Sequence, residues 1–189
     1  MAKSNKSQFA ILGMLGLLEK SSGYDLKKHM ESSTEYFWKE GFSSIYPVLE
    51  DLEEQKLIVK IDMPTRSDRK RNVYAITPAG HDTLKQWLMQ TPEHIQLRNE
   101  LLLKVFFGDL IPVEITIEHL ENYKKELKDK LASFTDIEHQ LRTTNSSESF
   151  YGLITLDHGI SQASSSLEWC KKTIKTLKSI HNNSGKINE

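Results

Sequence analysis

Residues 42–77 read FSSIYPVLEDLEEQKLIVKIDMPTRSDRKRNVYAIT, and two hydrophobic periods meet inside that stretch. Ile45, Val48, Leu49 and Leu52 recur at i, i+3, i+4 and i+7, which predicts a helix with one apolar stripe. Ser43 or Ser44 is suited to cap its start, with Pro47 in the first turn. The period then changes to two. Leu57, Val59 and Ile61 alternate with Ile58, Lys60 and Asp62, and a second alternating run covers 72–77, so a helix is followed by a two-stranded hairpin. Its tip is polar, and Lys60, Arg66, Arg69, Lys70 and Arg71 outnumber Asp62 and Asp68.

Upstream, the run Phe9 to Lys20 predicts a largely buried first helix, and 1–7 form a polar terminus. Ser22, Gly23, Tyr24 and Asp25 make a capping box for a second helix, with Tyr24, Leu26 and Met30 as its inward face. An aromatic-rich connector, TEYFWKEG at 34–41, leads into the helix of the opening stretch. Downstream, Thr77, Pro78 and Gly80 signal the start of a fourth helix whose Leu84, Trp87 and Leu88 face inward. Helix, helix, turn, helix and a two-stranded β wing together predict an N-terminal winged helix-turn-helix over 1–90.

The break at Gln90, Thr91 and Pro92 sets the boundary of an all-helical C-terminal domain over 91–189. Leu97, Leu101 and Val105 line a fifth helix that stops at Gly108, and Pro112 precedes a long sixth. There Leu120, Leu127, Phe134 and Leu141 repeat every seven residues, with Val113, Ile117 and Leu131 between them, and 143–149 read as a polar break. The last helix has the cleanest seam in the chain. Leu153, Leu156, Ile160, Ala163, Leu167, Cys170, Ile174 and Leu177 alternate spacings of three and four, which demands another helix, either in the same chain or in a second subunit. We expect these eight residues to form a homodimer interface, because two DNA-reading heads multiply affinity.

Composition limits the chemistry. A chain of 189 residues can bury a real core, and its longest apolar run, Phe9 to Leu18, is too short to span a bilayer. Glu19 and Lys20 follow that run with no cleavage site, which argues for an internal helix over an export signal and for a cytoplasmic protein. A single cysteine, Cys170, forms no internal disulfide and sits on the apolar seam, where a core role outweighs a nucleophilic one. No His or Cys spacing fits a metal, Asp157 and His158 do not share a helix face, and no phosphate loop or cofactor motif is present, so we expect no enzyme and no cofactor. Net charge is −1, so nucleic-acid binding must rest on local charge.

Glu50, Asp51, Glu53 and Glu54 crowd the C-terminal half of the opening helix, so it can meet DNA only by its N-terminal end. That leaves Lys39, Ser43, Ser44 and Tyr46 as candidate contacts, with Lys60, Arg66, Arg69, Lys70, Arg71 and Tyr74 on the wing. The wing cations read equally well as solvated hairpin charges; their position beside a recognition helix favours phosphate. The same acids support a rival function, a winged helix that binds a protein partner and no DNA. Gly152, Gly159 and Ser166 form a stripe of small residues that either admits a neighbouring helix closely or leaves room for a ligand; close packing is the commoner use. Should a small effector bind, an aromatic one foremost, its expected place is the groove between the two domains near Phe106, Tyr123, Tyr151 and His158, the aromatics as an apolar wall and the His as a polar anchor.

The segments SGYDL at 22–26, SSIYPVLEDLEEQKLI at 43–58, VYAITPAG at 73–80, LLLKVFFG at 101–108 and LDHGISQASSSLEW at 156–169 closely resemble the PadR family of bacterial transcriptional regulators, in its long subgroup with a helical C-terminal domain. The resemblance runs through nearly the whole chain in order. It implies a homodimer that binds operator DNA, represses a promoter and is released by a small effector.

Overall fold

The computed structural model describes residues 6–63, 71–93, 98–144 and 147–184. Two compact units divide the chain, Met1–Glu93 and His94–Glu189.

In the first unit, α1 (Ser7–Leu18), α2 (Gly23–Ser33), α3 (Phe42–Glu54) and α4 (Pro78–Leu88) surround a small antiparallel sheet of β1 (Ser21–Ser22), β2 (Ile58–Met63) and β3 (Arg71–Ile76). The strand order is β1-β3-β2, with Ile58 opposite Ile76 and Ser21 opposite Tyr74. The expected two-stranded wing thus gains a third strand of two residues, too short for any period to reveal. The core forms where the stripes meet: Ile11, Leu12 and Leu15 of α1, Leu26 and Met30 of α2, and Ile45, Leu49 and Leu52 of α3 are buried together. Phe9 and Trp87 stack at 4.5 Å and tie α1 to α4.

Two residues expected to face inward do not. Tyr24 is 59% exposed and Leu88 66% exposed, whereas Leu84 and Trp87 pack against the core. Helix starts follow the signals except at α3. Ser22 Oγ accepts from the Asp25 N–H at 3.2 Å, and Thr77 Oγ1 accepts from the Gly80 N–H at 3.1 Å. At α3 the N-cap is Gly41, not a serine, and Pro47 is the sixth residue of the helix, beyond its first turn. Pro47 therefore offers no N–H to the Ser43 carbonyl, a cost that a proline within the first turn would not carry.

α3 ends in a left-handed turn. Lys56 has φ 59°, the Leu57 N–H donates to the Leu52 carbonyl at 2.9 Å, and the Lys56 N–H donates to the Glu53 carbonyl. Glycine is the residue that occupies such a position without strain, so Lys56→Gly should raise stability by about 0.5–1 kcal/mol, read as a higher urea midpoint with an unchanged slope.

The second unit contains α5 (Glu100–Phe106), a 3₁₀ turn over Gly108–Leu110, α6 (Val113–Thr144) and α7 (Ser147–Ser184). Asn99 caps α5 by accepting from the Leu102 N–H at 3.0 Å. The polar break expected over 143–149 is shorter than its composition suggests, since α7 already begins at Ser147. α6 and α7 form an antiparallel pair. Leu120, Leu127 and Phe134 on α6 and Leu156, Ala163, Cys170 and Ile174 on α7 are buried along it, so the α7 seam is filled from within the chain. Gly152 lets the two helices close up, because a Cβ there would lie 3.1 Å from Leu141 Cδ2; Gly159 is also buried.

Candidate nucleic-acid interface and ligand cavity

The exposed side of α3 is built at its N-terminal end. Ser43 is exposed, Tyr46 is 46% exposed, and both stand on a helix whose opposite stripe is locked in the core. The ring of Tyr46 lies over the first residue of α2, where a Cβ on Gly23 would come within 2.9 Å of Tyr46 Cε1. Glycine at 23 is thus what seats the phenol, and larger residues would push it off. Ser44 Oγ donates to Glu40 Oε2 at 2.5 Å and lies 2.9 Å from the Gly41 carbonyl, while Trp38 Nε1 donates to the other Glu40 oxygen at 2.9 Å. The Glu40 carboxylate therefore fixes the connector against the helix start.

Lys39 is exposed and pairs with Glu35 at 2.6 Å, which raises its pKa. Lys60 is exposed on β2, and Arg71 opens β3 opposite Met63. Arg66, Arg69 and Lys70 lie outside the described residues. Tyr74 behaves differently from the rest of the set: it is 6% exposed and belongs to the core, and burial, followed by Glu53 and Glu50, pushes its phenol pKa up. A buried, neutral phenol supports the sheet more directly than it reaches a phosphate. Tyr24 and Phe42, which periodicity did not single out for DNA, stand exposed beside Tyr46.

In the second unit, a cavity of about 330 Å³ is lined by Asn99, Leu101, Leu102, Tyr123, Ser165, Ser166 and Trp169. Of the four expected effector residues only Tyr123 is among them. Phe106 is 78% exposed and Tyr151 68% exposed, and His158 is exposed. Tyr151 stands fourteen residues before Ser165 on the same helix, about 21 Å along its axis, too far to share one small ligand. Ser166, the third member of the small-residue stripe, lines the cavity, whereas Gly152 admits Leu141 of α6 closely and Gly159 is buried. The Cys170 thiol is buried and its pKa is raised by that burial, the opposite of an activated nucleophile. Among the described residues no cluster of His, Cys, Asp and Glu could hold a metal ion, and no helix is long and apolar enough to cross a membrane.

The model of the Transcriptional regulator PadR-like family matches residues 11–86, and that of the Virulence activator alpha C-term matches residues 97–178. Taken in tandem, the two account for both units of the fold. The chain is PadR-like over residues 11–86. It is similar to the negative transcriptional regulator PadR of Bacillus subtilis, at 26% identity over 132 residues, which are 69% of this chain and 70% of that protein. A PadR-like transcriptional regulator from Bacillus cereus superposes with a TM-score of 0.80 at 25% identity, covering 93% of this chain and 98% of the other. Bacillus subtilis PadR in complex with operator DNA gives a TM-score of 0.79 at 22% identity, over 90% and 98% of the two chains. The same regulator in complex with p-coumaric acid gives 0.73. The family makes this PadR-like chain a transcriptional regulator with a helical C-terminal region.

Proposed function

We propose that this PadR-like regulator is a cytoplasmic, homodimeric repressor that binds operator DNA and is released by a small neutral effector. The observation that carries the reading is the N-terminal end of α3. Ser43 and Tyr46 stand exposed there on a helix whose acidic residues are confined to its other half, next in sequence to a hairpin with a cationic tip. Helix N-terminal ends enter the major groove, and a hairpin carrying excess cations meets phosphate. Lys39, Ser43, Ser44, Tyr46, Lys60, Arg66, Arg69, Lys70 and Arg71 are the proposed contacts; Tyr74 acts from the core.

Dimerisation belongs to the helical unit. With Leu156, Ala163, Cys170 and Ile174 occupied by α6, the half-buried members of the seam, Leu153, Ile160, Leu167 and Leu177, are left to flank a second copy. Large exposed apolar residues at Leu103, Phe106, Phe107 and Leu110, and at Phe150 and Ile154, supply surface that a monomer would leave in water.

The effector fits the cavity at Tyr123 and Trp169. Two aromatic walls with hydroxyl and amide groups but no charged side chain suit a planar, neutral molecule with hydrogen-bonding ends. A carboxylate such as the p-coumaric acid bound by Bacillus subtilis PadR would find no counter-charge there. A ligand that prefers one spacing of the two heads releases the DNA in proportion to that preference.

The acids on α3 keep one rival in view, a winged helix that docks on a protein partner. The wing separates the two. Arg69→Ala with Lys70→Ala should weaken binding to every duplex and flatten the salt dependence by up to about two units of logarithmic slope. A folded double variant with unaltered DNA affinity would remove the wing from the mechanism and favour the rival.

A further inference from the structure

Three aromatic rings stand in a row on the outside of the winged-helix unit. Tyr24 and Phe42 are 6.2 Å apart between centroids with planes 18° from parallel, and Phe42 and Tyr46 are 6.2 Å apart with planes at 16°. The ammonium of Lys27 sits 4.5 Å from the centroid of Phe42 while also pairing with Glu31. Tyr24 is the second residue of α2 and Phe42 the first of α3, so the row joins the N-terminal ends of the two helices. Phe42 is 41% exposed and belongs to no core. A helix-turn-helix presents these two helix ends to DNA, the second in the major groove and the first across the backbone.

From this geometry we infer that Phe42 is a base-contacting residue that recognises thymine. The inference rests on the DNA-binding reading above. A phenyl ring has no donor or acceptor, and the one apolar feature on the edges of the major groove is the thymine 5-methyl group. Its neighbours in the row and the Lys27 ammonium hold the ring in place, which gives a ring at the helix tip the fixed position that discrimination requires. Lys27 brings a cation to the same end of the motif, where phosphates flank the groove.

Removing the methyl groups tests this directly. The full-length protein is titrated with a duplex from the region upstream of its own gene, prepared with thymine or with uracil throughout, and with an unrelated duplex of the same length. The unaltered protein should bind the uracil duplex about fourfold more weakly for each methyl group that the ring covers. Phe42→Ala, checked for an unchanged melting curve, should bind the thymine duplex as weakly as the unaltered protein binds the uracil one, with no further weakening on uracil. Phe42→Gln, read the same way, serves if the alanine variant does not fold. A folded variant that keeps full affinity and full dependence on the methyl groups overturns the inference. So does an unaltered protein that prefers its own region yet treats thymine and uracil alike, and in that case DNA binding itself stands. An unaltered protein with no preference for its own region removes the DNA-binding reading, and the inference with it.

Discussion

Gly80→Ala should cost the winged-helix unit about 3 kcal/mol, the upper part of the range for forcing extra volume into a packed site. A Cβ at 80 would stand 2.1 Å from the Leu57 carbonyl oxygen and 2.8 Å from Ile76 Cγ1. The oxygen cannot retreat cheaply. It accepts the Thr77 N–H at 3.0 Å and lies 3.0 Å from Thr77 Oγ1, which is also 2.9 Å from the Lys56 carbonyl. The same threonine caps α4, so moving Leu57 disturbs the end of α3, the first residues of β2 and the start of α4 together. Alanine's better helix propensity returns at most about 1 kcal/mol. Urea unfolding followed by tryptophan emission reads the change through Trp38 and Trp87, both packed against this core. An unchanged midpoint would mean that α4 does not lie against the Leu57 carbonyl. At Gly23 the obstacle is a movable phenol, so Gly23→Ala should disturb the α3 tip more than the stability.

Phe134→Ala should cost the helical unit about 3–5 kcal/mol. Phe134 is 2% exposed about two thirds of the way along α6, with Leu127 one heptad before it and Lys130 Nζ 5.6 Å from its ring centroid. Two helices alone give a void few ways to collapse, which puts the cost in the range for large core aromatics. Urea unfolding followed by far-ultraviolet circular dichroism at several protein concentrations measures it. In a dimer the midpoint also rises with concentration. A destabilisation below about 1 kcal/mol would show that the ring is not buried in the helix pair.

The strongest periodicities were legible in the sequence, and particular residues explain where legibility stopped. Ile45, Val48, Leu49 and Leu52 recur over two turns of helix, and all four are buried. Tyr24 satisfied the same kind of pattern and yet stands in water, because its hydroxyl and its ring neighbours make exposure tolerable. Ser21 and Ser22 pair with β3 through backbone groups alone, and two polar residues carry no strand period. The serines near 147 looked like a break although a helix starts there, since serine both begins helices and fills loops. The α7 seam announced a helical partner without saying whose. Packing against α6 and packing against another subunit need the same apolar spacing, and the shortness of the α6–α7 connection favours the first. Phe106, Tyr123, Tyr151 and His158 were grouped by residue type, whereas the cavity gathers Tyr123 with Ser165, Ser166 and Trp169 by helix register.

The most direct test of the central claim titrates the purified full-length protein with DNA from the region upstream of its own gene and with an unrelated duplex. Both are measured at two salt concentrations, with the mass of the complex recorded. A DNA-binding dimeric repressor should prefer its own region, lose affinity steeply with salt and bind with the mass of two chains per duplex. Equal, weak binding to both duplexes by a monomer would contradict the account.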